Sequence, residues 1–392
     1  MLEIAFVTTL QPETHYSRYL LNELVKVNPN LEIWADRDKK NKNLPYKYLN
    51  LCWSKGPFYP FQLFWQALKS SAKIIHVQHE INMFGGKLSA LIFPLLLFVL
   101  KVLGKKIVIT VHAVVPQEEI NQDFLAAFKF PRGYIFCLSV KFFFFFLFKS
   151  ILFFADRIIV HSNYLKDVLV KDYSGQKSKI NVIPIGVPAP KSNKYTLNAP
   201  WAKKLKNKKI ILYFGYLLRR KGLEYLLEAF ERFSRKHKTY SLVLAGGELD
   251  YQKDYARELE NKVRRKKLDK KIIFTGFISQ EEILALYDKA QFLTLPYTYS
   301  ISSSLPLSFA MQYQKPVIAT NIGSLKEEVV DKKDGILVPP CDNNALFRAI
   351  ETLATNTRLY EKLSRGQKEK CLERSWKNVA QKTYLLYSRV YK

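Results

Sequence analysis

The sequence predicts an α/β protein of two domains, each a parallel sheet covered by helices. Short apolar runs bounded by Gly, Pro or polar residues alternate with helical patterns along the chain, which is typical of parallel sheets. The length of 392 residues suits two domains of ordinary size. A segment rich in Pro, Lys, Ser and Asn separates the two halves and predicts a linker. We therefore expect domains at 1–188 and 201–373, a linker at 189–200 and a final helix at 374–392.

The composition indicates a folded and strongly basic protein. Hydrophobic residues make up 48% of the chain, which excludes an intrinsically disordered protein. The formal net charge of +28 comes from 62 Lys and Arg residues against 34 Asp and Glu residues. This excess favours a polyanionic partner, either anionic lipid, nucleic acid or a phosphorylated substrate. The alternative is a lysine-rich, solvated surface without such a partner.

Cysteine usage and the first residues both favour the cytoplasm. The four cysteines have no C-x-x-C spacing, so the sequence predicts neither a zinc site nor a disulfide framework. Residues 1–10 lack a charged segment followed by an apolar one, so we expect no secretory signal.

The first half opens with a strand, a polar turn and a helix. Residues 2–8 form an apolar run, the turn at 11–15 is polar, and Tyr16–Val27 carries apolar residues on one helical face. A strand that enters a helix through a polar turn is typical of a Rossmann-like domain. The next segments predict two weak strands and one helix, at 31–35, 48–52 and 58–68.

Polar side chains cluster at the end of the strand predicted at 73–78. Alternation places His76 and Gln78 on one face, and His79 and Glu80 follow at the carboxyl edge, where open α/β sheets bind ligands. A histidine beside a carboxylate suits proton transfer or the binding of a sugar hydroxyl. A zinc site is less well supported, because no regular spacing supplies a third ligand. Polar residues that merely satisfy a strand end are the structural alternative.

The strand predicted at 106–110 is followed by His112. A single histidine at a strand end is more often structural than catalytic, so spacing alone assigns His112 no role. The segments 156–161 and 180–185 predict the last strands of the first domain, and Ser162 is a candidate N-cap for the helix between them.

Two segments of the first half are unusually apolar. Residues 88–100 carry no charge, but the segment is short. Residues 134–155 contain five consecutive phenylalanines, and the apolar segment is interrupted by Lys141 and Lys149. A spanning helix needs about 20 predominantly apolar residues. Aromatic helices flanked by lysines are typical of helices that lie in the membrane interface, and we favour this interpretation. The alternatives are two core helices or a true membrane span.

The second half begins with a strand at Lys209–Phe214, a basic turn at 215–222 and a helix at Leu223–Lys236. Cationic side chains in a glycine-bounded turn before a helix are well placed to bind a diphosphate. A solvated charged turn is the alternative. Strands at Tyr240–Ala245 and 271–274 then end at Gly246 and Gly276, and Ser279 with Glu282 predicts a capping box for the following helix.

Residues 290–340 predict strand, polar loop, helix and strand, with strands at 292–295, 316–319 and Gly335–Val338. Ser302, Ser303 and Ser304 lie in the loop and can offer hydroxyls and amides to a phosphate or a sugar. A serine-rich turn that only caps the helix at 305–313 is the alternative. Helices at 344–354 and 357–371 follow.

Several of these segments together resemble the family 4 glycosyltransferases. The donor-site segment of that family has a KPVIAT-like strand, a G-G-x-x-E turn and a G-x-L-V-P-P piece; here they match 315–320, Gly323 with Ser324 and Glu327, and 335–340. The F-G-x-x-x-x-x-K-G, T-x-H and V-I-P-I-G-V motifs match 214–222, 110–112 and 182–187. Residues 76–86 match an H-x-Q-H-E…F-G-G segment of some members. The motifs occur in the family's order over nearly the whole chain.

The resemblance implies a GT-B fold, two Rossmann-like domains facing across a cleft, with the last helix crossing back to the first domain. It implies that Lys221 clamps a donor diphosphate, with Arg219 or Arg220 as a second charge. His112, helped by His79 and Glu80, would orient the sugar or the acceptor. The remaining donor-site residues implied are Gly215, Gly246, Gly276, Ser302, Ser303, Ser304, Leu305 and Glu327.

The sequence departs from the family pattern at several places. The family's two donor-site glutamates, spaced by seven residues, would fall at Ile301 and Phe309. The first turn has no glycine pair, and Tyr216 stands where many members have arginine. Family members are generally retaining, an expectation that the loss of both glutamates weakens.

We expect a glycosyltransferase without metal or cofactor, bound peripherally to the inner face of the cell membrane. Its expected partners are a nucleotide-diphosphate sugar, a lipid-linked or membrane-presented glycan acceptor and an anionic membrane surface, as in cell-surface polysaccharide or glycolipid synthesis. A non-catalytic GT-B protein or binding subunit of a glycan-assembly complex is the first alternative. A nucleic-acid binder is the second, but no RNP-like aromatic motif or zinc finger supports it.

Overall fold

The computed structural model describes residues 2–11, 16–127, 130–188, 197, 199–249 and 252–391. Most of the predicted linker at 189–200 and of the first polar turn at 11–15 lies outside these residues.

The first sheet has seven parallel strands in the order β3-β2-β1-β4-β5-β6-β7. Successive side chains of β1 point to opposite faces, so Ile4 and Phe6 enter one core and Ala5 and Val7 the other. The strands are β1 Ile4–Thr8, β2 Glu32–Asp36, β3 Leu49–Trp53, β4 Ile74–His79, β5 Lys106–Val111, β6 Arg157–Val160 and β7 Ile180–Val182.

The second sheet has six parallel strands in the order β10-β9-β8-β11-β12-β13. Its strands are β8 Lys209–Phe214, β9 Tyr240–Ala245, β10 Ile272–Phe274, β11 Ala290–Leu295, β12 Val317–Thr320 and β13 Gly335–Val338. The predicted α/β class with two Rossmann-like domains is therefore confirmed.

Helices cover both faces of the two sheets. Those of the first half are α1 Tyr16–Val27, α2 Tyr59–Lys69, α3 Lys87–Leu91, α4 Phe93–Val102, α5 Gln122–Ala127, α6 Tyr134–Phe154 and α7 Asn163–Tyr173. Those of the second half are α8 Leu223–Lys236, α9 Lys253–Arg265, α10 Gln280–Lys289, α11 Leu305–Gln312, α12 Leu325–Glu328, α13 Asn343–Thr355, α14 Thr357–Glu373 and α15 Trp376–Tyr391.

The last helix, α15, returns to the first domain and packs against α1. Trp376, Val379 and Tyr387 are buried there in one core with Phe6 of β1 and Leu20 of α1. Residues from the two ends of the chain therefore share a core.

Several helical segments differ from the prediction, among them the short helices α5 and α12, which the sequence analysis does not predict. The charged segment 253–265 forms α9, a helix that the sequence analysis does not predict, because its buried stripe is short among many charges. The apolar segment at 88–100 forms two helices instead of one. The break falls at Ile92, and Pro94 occupies the first turn of α4, where its missing N–H costs nothing.

Candidate functional site

The carboxyl ends of the two sheets meet across a cleft and contact each other directly. After β5, Ala113 forms an antiparallel bridge with Ser302 of the loop after β11. The Val114 N–H donates to the Ile301 carbonyl at 2.9 Å. The hydroxyls of Ser162 and Ser324 lie 2.8 Å apart across the same boundary. These contacts bring the predicted site loops of both domains to one place.

The basic turn after β8 places an ammonium group over an aromatic ring. Lys221 closes a short 3-10 helix, and its Nζ lies 3.3 Å from the centre of the Tyr297 ring. Gly222 has a φ of 62°, and a Cβ there would meet the Pro296 carbonyl oxygen at 2.1 Å, so the turn requires glycine. Burial, together with the adjacent Arg220, lowers the pKa of Lys221 well below its usual value. An anion bound beside Lys221 would stabilise its ammonium form and so reverse much of this lowering of the pKa.

The two arginines of the turn have different partners. Arg219 Nη2 lies 2.7 Å from both carboxylate oxygens of Glu258 on α9, at the exposed surface. Arg220 instead faces the cleft, where its charge acts on the carboxyl of Glu80 and on the phenol of Tyr297. The geometry thus favours Arg220 over Arg219 as the second cation.

Glu80 lies across the cleft, at the carboxyl end of β4. The Glu80 side chain is exposed; the surrounding protein still desolvates it enough to raise its pKa, and the charge of Arg220 opposes that shift. A carboxylate of the first domain therefore lies within electrostatic range of the basic turn of the second.

The three predicted glycines pack against one another at the ends of neighbouring strands. Gly246 forms an antiparallel bridge with Gly276, and its N–H donates to the Gly276 carbonyl at 3.2 Å. A Cβ on Gly246 would meet the Gly215 carbonyl oxygen at 2.3 Å. Only glycine allows this close approach of the turns after β8, β9 and β10.

The serine loop lies next to the basic turn. Ser304 is buried, and its hydroxyl lies 3.4 Å from the hydroxyl of Tyr297. The ring of Tyr297 is the one that lies under the Lys221 ammonium. The backbone of Ser302 is used at the domain boundary, and its carbonyl also accepts a hydrogen bond from Ser300 at 3.1 Å. Leu305 begins α11 directly after the loop.

A buried carboxyl that the sequence analysis missed lies beside this loop. Glu328 on α12 is only 5% exposed. Burial raises its pKa to about 7, and the neighbouring Ser303 hydroxyl, the Arg374 guanidinium and the Ser304 amide oppose that shift, although the Ser303 hydroxyl has no hydrogen-bond partner by geometry among the described residues. The sequence offers one signal of this buried carboxyl, the adjacent pair Glu327–Glu328 with apolar residues on either side. On the short helix α12 the second glutamate of the pair falls on the buried side.

Both positions of the missing glutamates carry buried apolar side chains. Ile301 is 5% exposed and packs into the core of the first domain, although its loop belongs to the second. Phe309 is fully buried and contacts the rings of Phe214 and Tyr287. Their replacement therefore serves packing at and near the domain boundary.

Glu327, predicted to contact the donor, binds the first domain instead. Its carboxylate oxygens accept hydrogen bonds from the N–H groups of Asn163 and Tyr164 at 3.0 Å and from the Asn163 side chain at 2.7 Å. A carboxylate at the N-terminus of α7 is favoured by the helix dipole. The structure therefore places Glu327 at the domain boundary, and its contact with a donor stays a prediction.

The three histidines at the strand ends lie in two environments. His112 is half-buried and its two ring nitrogens face Gln78 and His161, at 2.9 and 3.0 Å. His79 points to the other face of the sheet, against the Phe93 ring, and its Nδ1 has no hydrogen-bond partner among the described residues. Burial lowers the pKa of His79 to about 4. The two residues are neighbours, since the His112 N–H donates to the His79 carbonyl at 3.1 Å, but their side chains lie on opposite faces of the sheet.

Within the residues that the structure describes, no group of three or more His, Cys, Asp or Glu side chains could hold a metal ion.

Two family models match the chain, one in each half. Residues 16–189 match the model described as Glycosyltransferase Family 4, and residues 198–370 match Glycosyl transferases group 1. An uncharacterized glycosyltransferase of Methanocaldococcus jannaschii is 25% identical over 242 residues, 59% of each chain. The α-D-kanosaminyltransferase of Streptomyces kanamyceticus is 27% identical over 161 residues, 41% of this chain and 40% of that one. The chain thus spans less than two thirds of the length of these curated relatives.

Solved structures share the fold over the full chain. HepE of Anabaena, determined with UDP-glucose, superposes with a TM-score of 0.76 at 17% identity, covering 99% of this chain and 100% of that one. Sucrose-phosphate synthase of Thermosynechococcus elongatus gives a TM-score of 0.75 at 20% identity, covering 100% and 99%.

Proposed function

Because this chain belongs to the group 1 glycosyltransferases of the GT-B fold, we propose that it transfers a sugar from a nucleoside-diphosphate donor to a hydroxyl of a lipid-linked or membrane-presented glycan. The observation that carries the proposal is the position of Lys221, whose ammonium lies over the Tyr297 ring in a glycine-bounded turn that also holds Arg220. HepE, which shares the fold, was determined with UDP and with UDP-glucose.

Lys221 and Arg220 would stabilise the departing diphosphate. Negative charge grows on the diphosphate as the bond to the sugar breaks, so fixed cations in a water-poor site stabilise the transition state more than the ground state. The glycine turns would admit the flat base of the nucleotide. No bound metal is needed for this stabilisation, since two cations already face the site.

Glu328 would supply the carboxylate that Ile301 and Phe309 do not. It lies beside Ser303 and Ser304, and the Ser304 hydroxyl approaches the hydroxyl of Tyr297, whose ring lies under the Lys221 ammonium. The Glu328 carboxylate and the hydroxyls of Ser303 and Ser304 are suited to hold the hydroxyls of a sugar whose diphosphate is bound by Lys221 and Arg220. Glu80, on the opposite wall, would face the acceptor side together with His112.

Glu328→Gln should increase stability and reduce activity. The folded pKa of about 7 exceeds the ordinary value of 4.5, so the folded state binds more protons than the unfolded state between these values. The free energy of unfolding of the wild type should therefore fall as the pH rises through this range, and the glutamine variant should escape that loss. We expect its unfolding midpoint to lie a few degrees above the wild type at pH 8 and to approach it at pH 5, while transfer falls about tenfold or more. Equal midpoints at pH 8, or unchanged transfer, would contradict this assignment.

A thermal-shift panel of nucleoside diphosphates and their sugars tests the proposed function. One class of nucleotide should raise the unfolding midpoint of the protein. When the protein is incubated with the corresponding nucleoside-diphosphate sugar and a membrane lipid extract, the free nucleoside diphosphate should be released. A shift without release would favour the non-catalytic alternative. No shift with any nucleotide, in folded protein with lipid present, would refute donor binding.

We further propose that the first domain binds the membrane through one apolar face. Among the described residues, α6 alone is long and apolar enough to cross a membrane, and 39% of it is buried against the domain, which favours attachment at the interface over a span. The exposed apolar side chains lie on α2, α3, α4 and α6, and include Phe58, Phe61, Trp65, Leu68, Leu91, Leu95, Phe98, Val102, Ile135, Phe142, Phe146 and Phe153. We call this set the apolar face.

The helices that carry the apolar face are neighbours. α4 packs against both α2 and α6, so the three helices lie side by side on the first domain. Lys69, Lys87, Lys141 and Lys149 lie on or next to the same helices, and the whole chain carries a net charge of +28. Lysines beside exposed aromatic residues suit an anionic lipid surface. The inner face of the cell membrane is therefore the location we propose.

A further inference from the structure

A groove of about 410 Å³ lies beside the last strand of the first sheet, outside the cleft. It is lined by β7, by the first turn of α7 and by the second half of α15. The buried residues of α7 and α15 belong to the cores on opposite faces of the sheet. A groove that touches both helices must therefore pass around β7, which has a neighbouring strand on one side only.

The backbone of β7 is free on the side that faces away from β6. The Ile183 N–H donates to the Val160 carbonyl of β6 at 2.9 Å. Backbone groups of successive residues point to opposite sides of a strand, so the N–H and C=O of Val182 point away from β6. Neither group has a hydrogen-bond partner among the described residues, and Val182 is only half-buried. This edge can accept one further strand.

The charged side chains that line the groove are all positive. They are Lys166 of α7 and Lys382 and Arg389 of α15, and none of them forms an ion pair within the described part of the chain. Leu385 lies between the two cations on the same face of α15 and is 58% exposed. One side of the groove therefore presents a cation, an apolar side chain and a second cation in a row.

This row fits an extended chain whose alternate side chains are acidic, apolar and acidic. Lys382 and Arg389 are seven positions apart, about 10.5 Å along a helix. In a strand, alternate residues project to one face, and two side chains four positions apart are separated by about 13 Å. The long side chains of Lys382 and Arg389 can span the difference.

We propose that the groove binds an acidic segment of a partner protein, which pairs with β7 as an eighth strand of the first sheet. The backbone of Val182 supplies the pairing, and the three cations select an acidic sequence. A second copy of this chain is a poor occupant, because its net charge of +28 would meet the same three cations. The proposal does not rest on the proposed function, since the groove lies outside the cleft.

The probe is the fluorescently labelled peptide TETVTETVTET, which has acidic and apolar residues in alternation on one face of a strand. We expect it to bind the full chain in a fluorescence anisotropy titration. The double variant Lys382→Glu, Arg389→Glu should lower the affinity at least about tenfold, because each change replaces an attraction by a repulsion. Both side chains are exposed, so the fold should be kept, which circular dichroism checks.

A basic groove on α14 offers the matched control. It has a volume of about 560 Å³ and includes Arg358 and Lys362, but its lining comes from α14 and its N-cap and contains no strand. The double variant Arg358→Glu, Lys362→Glu should leave the affinity for the peptide unchanged. An equal loss in both double variants would show binding to surface charge in general and would overturn the proposal.

Strand pairing has its own readouts. Hydrogen exchange of the Val182 amide should slow at least about tenfold when the peptide binds, whereas the Ile183 amide is already bonded to β6 and should change little. N-methylation of one alternate set of peptide amides should abolish binding, because those amides face β7. N-methylation of the other set should be tolerated.

The remaining outcomes would each overturn the proposal. Binding that leaves exchange at Val182 unchanged, or that tolerates methylation of either set, excludes strand pairing; competition by pyrophosphate would then assign the groove to a free anion. A dimer of the wild type that Lys382→Glu, Arg389→Glu abolishes would make a second copy the occupant. Absence of peptide binding would leave the groove without the proposed partner, whatever nucleotides bind in the cleft.

Discussion

Replacement of Lys221 by methionine is expected to lower kcat/KM for sugar transfer by about 100- to 1000-fold, the usual effect of removing one preorganised charge from a transition state. Methionine keeps an unbranched side chain over the Tyr297 ring, so packing is retained and only the charge is lost. Because burial and Arg220 already destabilise the charged lysine, the variant should unfold at the same temperature as the wild type or higher. Steady-state kinetics and thermal unfolding measure the two effects.

Arg219→Gln is the matched control for this variant. Arg219 lies two residues away in the same turn, but it is paired with Glu258 at the exposed surface. An exposed ion pair contributes at most about 1 kcal/mol to stability, so this variant should keep both donor binding and transfer. A large loss of transfer in Arg219→Gln, or a mild effect of Lys221→Met, would contradict the assignment of the diphosphate site.

The second large effect concerns the apolar face. The double variant Phe142→Ser, Phe146→Ser should lower the partition coefficient for anionic vesicles by at least about 100-fold, because each phenylalanine contributes about 1.5 kcal/mol when it leaves water. Both side chains are exposed in the protein, 71% and 46%, so the fold should not be affected. Vesicle sedimentation measures the partition coefficient, and circular dichroism checks the fold.

Leu372→Ser provides the comparison, since Leu372 is 73% exposed but lies on α14 of the second domain. It should leave vesicle binding unchanged. Raising the salt concentration should weaken wild-type binding to anionic vesicles, because the lysines act through screened charge. If the double variant remains bound, attachment through the apolar face is wrong.

The elements of the fold were largely predictable because their periodicity is local. The bounds of α1, α8, β8 and β9 agree with the sequence patterns. The missed helix α9 has few apolar residues, and its stability comes from packing and from ion pairs such as Lys262 with Glu228, which a pattern does not show. Local physics thus recovers the strands and most helices, and fails where distant partners stabilise a polar segment.

The site was predictable in its location but not in its contacts. Both Arg219 and Arg220 precede Lys221 in the sequence, and only the position of Glu258 on α9 shows which of them turns away. Tyr387 is hydrogen-bonded to His76 at a separation of 311 residues, so no spacing rule connects them. Glu327 matches a family motif, yet its partners are backbone amides of the other domain. Each of these facts depends on the tertiary arrangement.

The return of α15 to the first domain has a consequence for biosynthesis. The core formed by Phe6, Leu20, Trp376 and Tyr387 cannot close until α15 has left the ribosome, long after β1 to β7 have emerged. The second sheet is complete earlier, at β13, and its core also needs α13 and α14. During translation the nascent chain therefore carries an unfinished first domain whose apolar face is already exposed. The exposed apolar surface of such an intermediate favours its binding to a chaperone or to the membrane during synthesis.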